Sequence, residues 1–94
     1  MNPARVDRNK VRILTDLPNV GPATVGDLHL LGITTPDDLH GRDAWVMYED
    51  LCRISGQRHD PCVIDVFLSI TDFMAGGDPQ PWWAYTQQRK RTSL

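Results

Sequence analysis

The stretch Leu17-Pro18-Asn19-Val20-Gly21-Pro22-Ala23-Thr24-Val25-Gly26-Asp27-Leu28 decides the fold. Pro18 disfavours a helical Leu17 and Gly21 interrupts, so a helix arriving from upstream stops here. Pro22 suits the first position of a new helix, where its missing N–H costs nothing. Val25, Leu28 and Leu31, with Leu30 beside them, then keep a 3–4 spacing, and Gly32 is placed to end that helix as its C′ residue. The local reading is two helices on either side of a tight turn.

Upstream, Val6, Val11, Ile13 and Leu14 with charges between them predict a first, weakly periodic helix over residues 6–14. Downstream, Thr34-Thr35-Pro36-Asp37-Asp38-Leu39 reads as an N-cap, a proline and two acids opening a short helix that Gly41 ends. Asp43 can cap a helix over 44–54, with Met47, Leu51 and Ile54 on one face and Trp45, Tyr48 and Cys52 beside them. Residues 55–59 read as a loop, and Asp60-Pro61 repeats the cap-plus-proline device. Val63, Val66, Phe67, Ile70, Phe73 and Met74 then form a broad apolar face up to Gly76-Gly77. β-branched residues never alternate with polar ones over a useful length. The expectation is a compact all-α domain with five helices before Gly76 and a sixth after Pro81.

Ninety-four residues make a single domain, 1–94, with a thin core, since a chain this short buries only about 60–65% of its unfolded surface. Its net charge of −2 conceals an asymmetry. Residues 1–14 carry Arg5, Arg8, Lys10 and Arg12 against Asp7, a net of +3. Residues 15–88 carry Arg42, Arg53 and Arg58 against eleven acids, a net of −8, and Arg89, Lys90 and Arg91 add +3. A dedicated high-affinity nucleic-acid binder usually has a basic face instead. No apolar run approaches the ~18 residues that span a bilayer, and Met1-Asn2-Pro3-Ala4-Arg5 lacks the apolar core of a secretory signal. A cytoplasmic chain with no membrane partner is expected.

The stretch from Leu17 to Leu28 resembles the helix-hairpin-helix motif, in which an apolar residue, a proline and Gly-apolar-Gly join two antiparallel helices. A reversal in so few residues needs positions that tolerate positive φ, which Asn19 and Gly21 can supply. The second helix then presents free N–H groups and about half a positive charge to an anion. The resemblance implies that this anion is a phosphate of double-stranded DNA, held through backbone contacts that read no sequence. Leu31-Gly32-Ile33 followed by the capped turn and Asp38-Leu39 extends the resemblance into a connector, giving a hairpin unit over 6–40 and a second, degenerate helix pair over 43–76. An aromatic and basic tail, 77–94, completes the organisation.

Three blocks together are similar to the small bacterial "pathogenicity locus" family, some of whose members are labelled mitomycin resistance proteins. They are the stretch 17–39, then Leu51-Cys52 with Gly56, Asp60-Pro61-Cys62-Val63, Asp65 and Phe67, then Pro81-Trp82-Trp83 before Arg89-Lys90. That resemblance implies a non-catalytic domain with presumed DNA binding. DNA-binding hairpins often carry Lys where this chain has Ala23, and residues 15–41 hold no Lys or Arg against Asp16, Asp27, Asp37 and Asp38. Since each neutralised phosphate drives binding through counterion release, the cations must come from elsewhere.

The candidate phosphate-binding set is Asn19, Gly21, Ala23 and Thr24, with Lys10 and Arg12 as the cations. If 6–14 is helical, those two lie about 6–10 Å of axial rise from Asp16. The other reading is a turn kept for packing, in a protein-interaction adaptor that needs no nucleic acid. The carbonyls of Leu17 and Val20 match the place where some relatives hold a monovalent cation. Arg58 and His59, ahead of a helix start, form a secondary anion site or a solvated loop that Asp60 caps. Trp82 and Trp83 beside the terminal cations are either a stacking platform or a cover over a thin core. Cys52, Cys62 and His59 fall one ligand short of a structural zinc site and read as packing thiols, although Cys62 in a first helical turn can have a depressed pKa. No nucleophile–base constellation or nucleotide loop is visible, so neither an enzyme nor a cofactor is expected.

Overall fold

Twelve residues beginning at Ala44 alternate so that Ala44, Met47, Tyr48 and Leu51 fall on one side, and that side is buried. In the computed structural model, which describes residues 3–92, this is helix α2, Ala44–Ser55. Before it comes α1, Pro22–Leu30, and after it α3, Cys62–Met74, and α4, Thr86–Thr92. Short 3-10 turns occupy Pro3–Arg5, Arg8–Lys10, Leu14–Asp16, Pro36–Leu39 and Trp82–Tyr85. Four α-helices and no strand are present among the described residues. Residues 1, 2, 93 and 94, the extreme ends of the expected single domain and tail, lie outside them.

The helix expected over residues 6–14 is absent. Val6, Val11, Ile13 and Leu14 are separated by five, two and one residues, with only Val11 and Leu14 at a spacing of three or four, and Val11 and Ile13 are extended. The Asp16 carboxylate also accepts the backbone N–H groups of Arg12 and Ile13, at 2.9 and 3.0 Å, which draws them out of any helical ladder. The expected connector is a 3-10 turn, Pro36–Leu39, fixed by Asp38, whose carboxylate takes the N–H groups of Thr34 and Thr35. Ile54, expected on the buried face of α2 three residues after Leu51, falls in the last turn of the helix and is exposed.

α3 is the axis of the molecule. Ile64, Phe67, Ile70 and Phe73 are buried along it, and α2, the 36–39 turn and the 82–85 turn all pack against it. Leu17, Val20, Leu28, Ile33 and Leu39 complete one core, each such side chain contributing about 1.5–3 kcal/mol by leaving water. The Cα radius of gyration, 12.3 Å, is that of a close-packed chain of this length. Asp65, Ser69 and Asp72 stand at i, i+4 and i+7 on α3, one polar stripe on a mostly apolar helix. Asp65 and Ser69 are fully buried, so each must find a partner. Those partners come from the 17–21 turn and the tail.

Candidate phosphate site at the start of α1

Asn19 follows Pro18 and adopts φ 66°, the left-handed conformation that Asn tolerates better than most residues. Its side chain is fully engaged. The amide NH2 donates to the Ser69 hydroxyl at 2.9 Å and to the Gln80 carbonyl at 2.8 Å. The amide oxygen accepts the Trp82 N–H at 3.2 Å. Asn19 therefore staples the tail to α3 and offers no side-chain group to an external anion. Gly21 is a correction of a different kind: its φ of −109° lies in the extended region open to any residue, and a Cβ there would meet nothing within 4 Å. Leu17 and Val20, nominated for a cation through their carbonyls, are buried at the two ends of the turn.

Gly21 is set apart by the helix start it leaves uncapped. Asp43 caps α2 by accepting the N–H groups of Trp45 and Val46, at 2.8 and 3.0 Å. Asp60 accepts the N–H of Cys62 at the start of α3, at 2.8 Å. Bonds of this kind hold the Asp16, Asp38 and Asp60 carboxyls below their usual value, because the backbone donors they face favour the ionised form. α1 begins on a residue with no side chain. Pro22 has no N–H, Val25 closes the first helical bond to Gly21, and the N–H groups of Ala23 and Thr24 meet no acceptor among the described residues. Ala23 is exposed.

Several of the chain's arginines are engaged within the fold. Arg8 donates to the carbonyls of Phe73 and Gly77, closing the C-terminal end of α3, while its guanidinium lies 4.1 Å above the Phe73 ring. Arg89 donates through Nε to the buried Asp65 at 2.7 Å, and Thr86 donates to the other carboxylate oxygen at 2.8 Å. Tyr85 donates to Asp72 at 2.6 Å, and burial, then that bond, pushes its hydroxyl above its ordinary value. Arg12 turns back onto the carbonyls of Asn9 and Val11. Lys10 is exposed and shares a shallow hollow with Arg5, Asp7 and Asp16. The axial-rise argument for placing Lys10 and Arg12 beside the turn falls with the missing helix.

The second loop is likewise occupied. Arg58 lies 3.6 Å from Glu49 and over the Tyr48 ring at 5.5 Å, and His59 Nε2 is 2.8 Å from the Ser55 hydroxyl. Ser55 donates its own hydrogen to the Leu51 carbonyl, at 2.7 Å. Nε2 must then carry the imidazole hydrogen and donate to Ser55, an arrangement that leaves no base poised over a nucleophile. Cys52 Sγ accepts the His59 N–H at 3.5 Å. The Cys62 thiol is raised rather than lowered, first by its hydrogen bond to Asp60 and then by burial, so the helix start does not activate it. No three potential metal ligands cluster among the described residues. A hollow of about 420 Å³ is walled by Val11, Pro36, His40 and Phe73 with Arg8, whose guanidinium is already tied to α3.

Trp82 is half-buried against the turn and Trp83 stays 62% exposed, the two rings meeting edge to face at 5.6 Å. The stripe of Asp65, Ser69 and Asp72 was the sequence signal for the ties that Asn19 and Arg89 make to α3, while Arg8, which ties to the Phe73 and Gly77 carbonyls, left no such signal.

Fold and site together define a small all-helical protein whose two ends are latched onto one central helix, with one helix start left open. The chain belongs to the pathogenicity locus family, whose model matches residues 7–91. It is 41% identical over 78 residues to the mitomycin resistance protein McrB of Streptomyces lavendulae, covering 83% of this chain and 74% of that one. No solved structure matches it. No helix among the described residues is long and apolar enough to cross a membrane.

Proposed function

We propose that this chain is a cytoplasmic, non-catalytic domain that binds the phosphate backbone of duplex DNA weakly and without sequence preference. On this reading, the 6–40 unit is a helix-hairpin-helix whose first arm has shrunk to the 3-10 turn Leu14–Asp16. The observation that carries the proposal is the uncapped start of α1: the amides of Ala23 and Thr24 are open while Asp43 and Asp60 occupy those of α2 and α3. The exposed cations of the two ends, Lys10 and Arg12 on one side and Lys90 and Arg91 on the other, supply the counterion release that the turn cannot. The name of the Streptomyces relative is part of the proposal: the binding serves resistance to mitomycin or a similar stress.

The test is fluorescence anisotropy of labelled mixed-sequence duplexes over a salt series. Log affinity should fall linearly with log salt, and Lys10→Ala with Arg12→Ala should weaken every duplex alike and flatten the slope. Equal affinity of that double variant across the series removes Lys10 and Arg12 from the interface. No duplex binding at low salt hands the function to the adaptor reading, which the exposed Ile13, Leu30 and Val46 favour.

A further inference from the structure

The segment after Pro81 is two-faced. Trp82, Tyr85, Thr86 and Arg89 turn inward, and through them the segment is held to Asn19, Asp72 and Asp65. Trp83, Gln87, Lys90 and Arg91 stand at i, i+4, i+7 and i+8, an outer face that carries the exposed ring. This face holds one bare aromatic ring, two cations and an amide, and no acid occurs between Asp78 and Thr92. Arg91 reaches the neutral Gln87, at 3.4 Å, and neither Lys90 nor Arg91 has an ion-pair partner among the described residues. The inner face keeps Arg89 against Asp65. The charge on offer to a partner is thus purely positive, on a body that is otherwise acidic.

An apolar partner would not explain the paired cations, and an acidic peptide would not explain a flat ring left 62% exposed beside them. A single-stranded nucleic acid needs both: a surface for a base to stack on and cations to track its phosphates. The separation suits it too. Trp83 and Lys90 are seven residues apart, about 11–12 Å along the 3-10 turn and α4 that carry them, the rise of about three stacked nucleotides. We infer that the outer face of the terminal segment is a second contact, on which an unpaired base stacks on Trp83 while Lys90 and Arg91 hold the neighbouring phosphates. The inference rests on the reading of this chain as a nucleic-acid binder and names the substrate more closely: a single strand, or the unpaired end of a duplex. Because Trp82 is tied to Asn19, this face begins beside the turn that leads into α1.

The probe is a twelve-nucleotide oligo-dT, titrated into the full chain while tryptophan emission and anisotropy are recorded. The parent should bind with quenching. Trp83→Leu should lose most of the quenching and weaken binding about five- to a hundredfold, whereas Trp83→Phe, which keeps a ring, should stay within a few-fold of the parent. Lys90→Ala with Arg91→Ala should lower the salt slope by about 1.4. Trp83 is outside the core, so circular dichroism should be unchanged in every variant. Absence of binding by the parent at low salt, or unchanged affinity in Trp83→Leu, overturns the inference. Duplex binding that survives alongside such a result leaves the α1 proposal standing. Strand binding that needs Trp83 in a protein with no duplex affinity supports this face and removes the other.

Discussion

Replacing Gly21 by Asp should make the protein more stable and weaken its proposed function. Gly21 is the N-cap of α1, with φ −109° and ψ −175°, a conformation that a capping Asp adopts without strain. An added Cβ meets nothing within 4 Å. The carboxylate would accept the open N–H groups of Ala23 and Thr24. Asp gains a few tenths of a kcal/mol over Gly as a cap. A negative charge in the first turn adds about 0.3–1 kcal/mol, and the lost backbone freedom of Gly in the unfolded chain about 0.4–1 kcal/mol. Allowing for overlap among these, about 1 kcal/mol remains, a rise in Tm of about 4–8 °C for a chain of this size. The same carboxylate fills the place proposed for a phosphate, removing hydrogen bonds worth about 1.5–3 kcal/mol each, so duplex affinity should fall tenfold or more. Gly21→Ser should stabilise similarly and weaken binding less. Gln57→Asp, in the exposed second loop, controls for the added charge. A Gly21→Asp protein that melts higher yet binds duplex like the Gln57→Asp control would refute the phosphate site; one that melts lower would refute the open-cap geometry.

The latches and caps carry four further expectations. Arg89→Ala leaves the buried Asp65 charge uncompensated and should cost about 3–5 kcal/mol in urea unfolding, while Asp65→Ala in the same chain should recover part of that loss. Asn19→Gly keeps the positive φ but drops three hydrogen bonds, so limited proteolysis should cut within 77–85 sooner, and Asn19→Ala should be less stable still. The Cys62 thiol should alkylate more slowly than a free cysteine at pH 8, and Asp60→Asn, which keeps a cap but not the charge, should speed it. The Asp16, Asp38 and Asp60 carboxyls are lowered in the folded state, so their stabilisation is present above the ordinary value of 3.8 and lost as pH falls through the lower folded values. Acid unfolding monitored by circular dichroism should therefore begin below about pH 4 and become less pH-dependent in Asp38→Asn.

Much of this architecture is local and was legible for that reason. Asp43 before an amphipathic run and Asp60 before another carry their caps and periodicity within a dozen residues, and α2 and α3 start within a residue or so of where those signals put them. Asn19 takes the positive φ expected of so short a reversal, and Gly21 does not. Residues 6–14 misled because charge between apolar residues imitates a helix, while the decisive event, Asp16 capturing two upstream amides, is a side-chain competition that periodicity does not register. The uncapped start of α1 was legible in the sequence, and the fate of the side chains around it was not. Ala23 and Thr24 are open as expected of such a turn, but Asn19 is consumed by Ser69 and Gln80, fifty and sixty-one residues away. Arg8 reaches Phe73 across sixty-five residues. Counting Arg8 and Arg89 as free cations of basic ends overstated the charge on offer, and only the polar stripe on α3 hinted that something had to satisfy it.

The most direct measurement is an amide-resolved NMR titration of the full chain with a short mixed-sequence duplex at low salt. Binding at the open start of α1 predicts that the Ala23 and Thr24 N–H resonances shift first and furthest, downfield as they take up an anionic acceptor. The N–H groups of Trp45, Val46 and Cys62, already capped, should stay in place. Duplex binding that leaves Ala23 and Thr24 unshifted would contradict it.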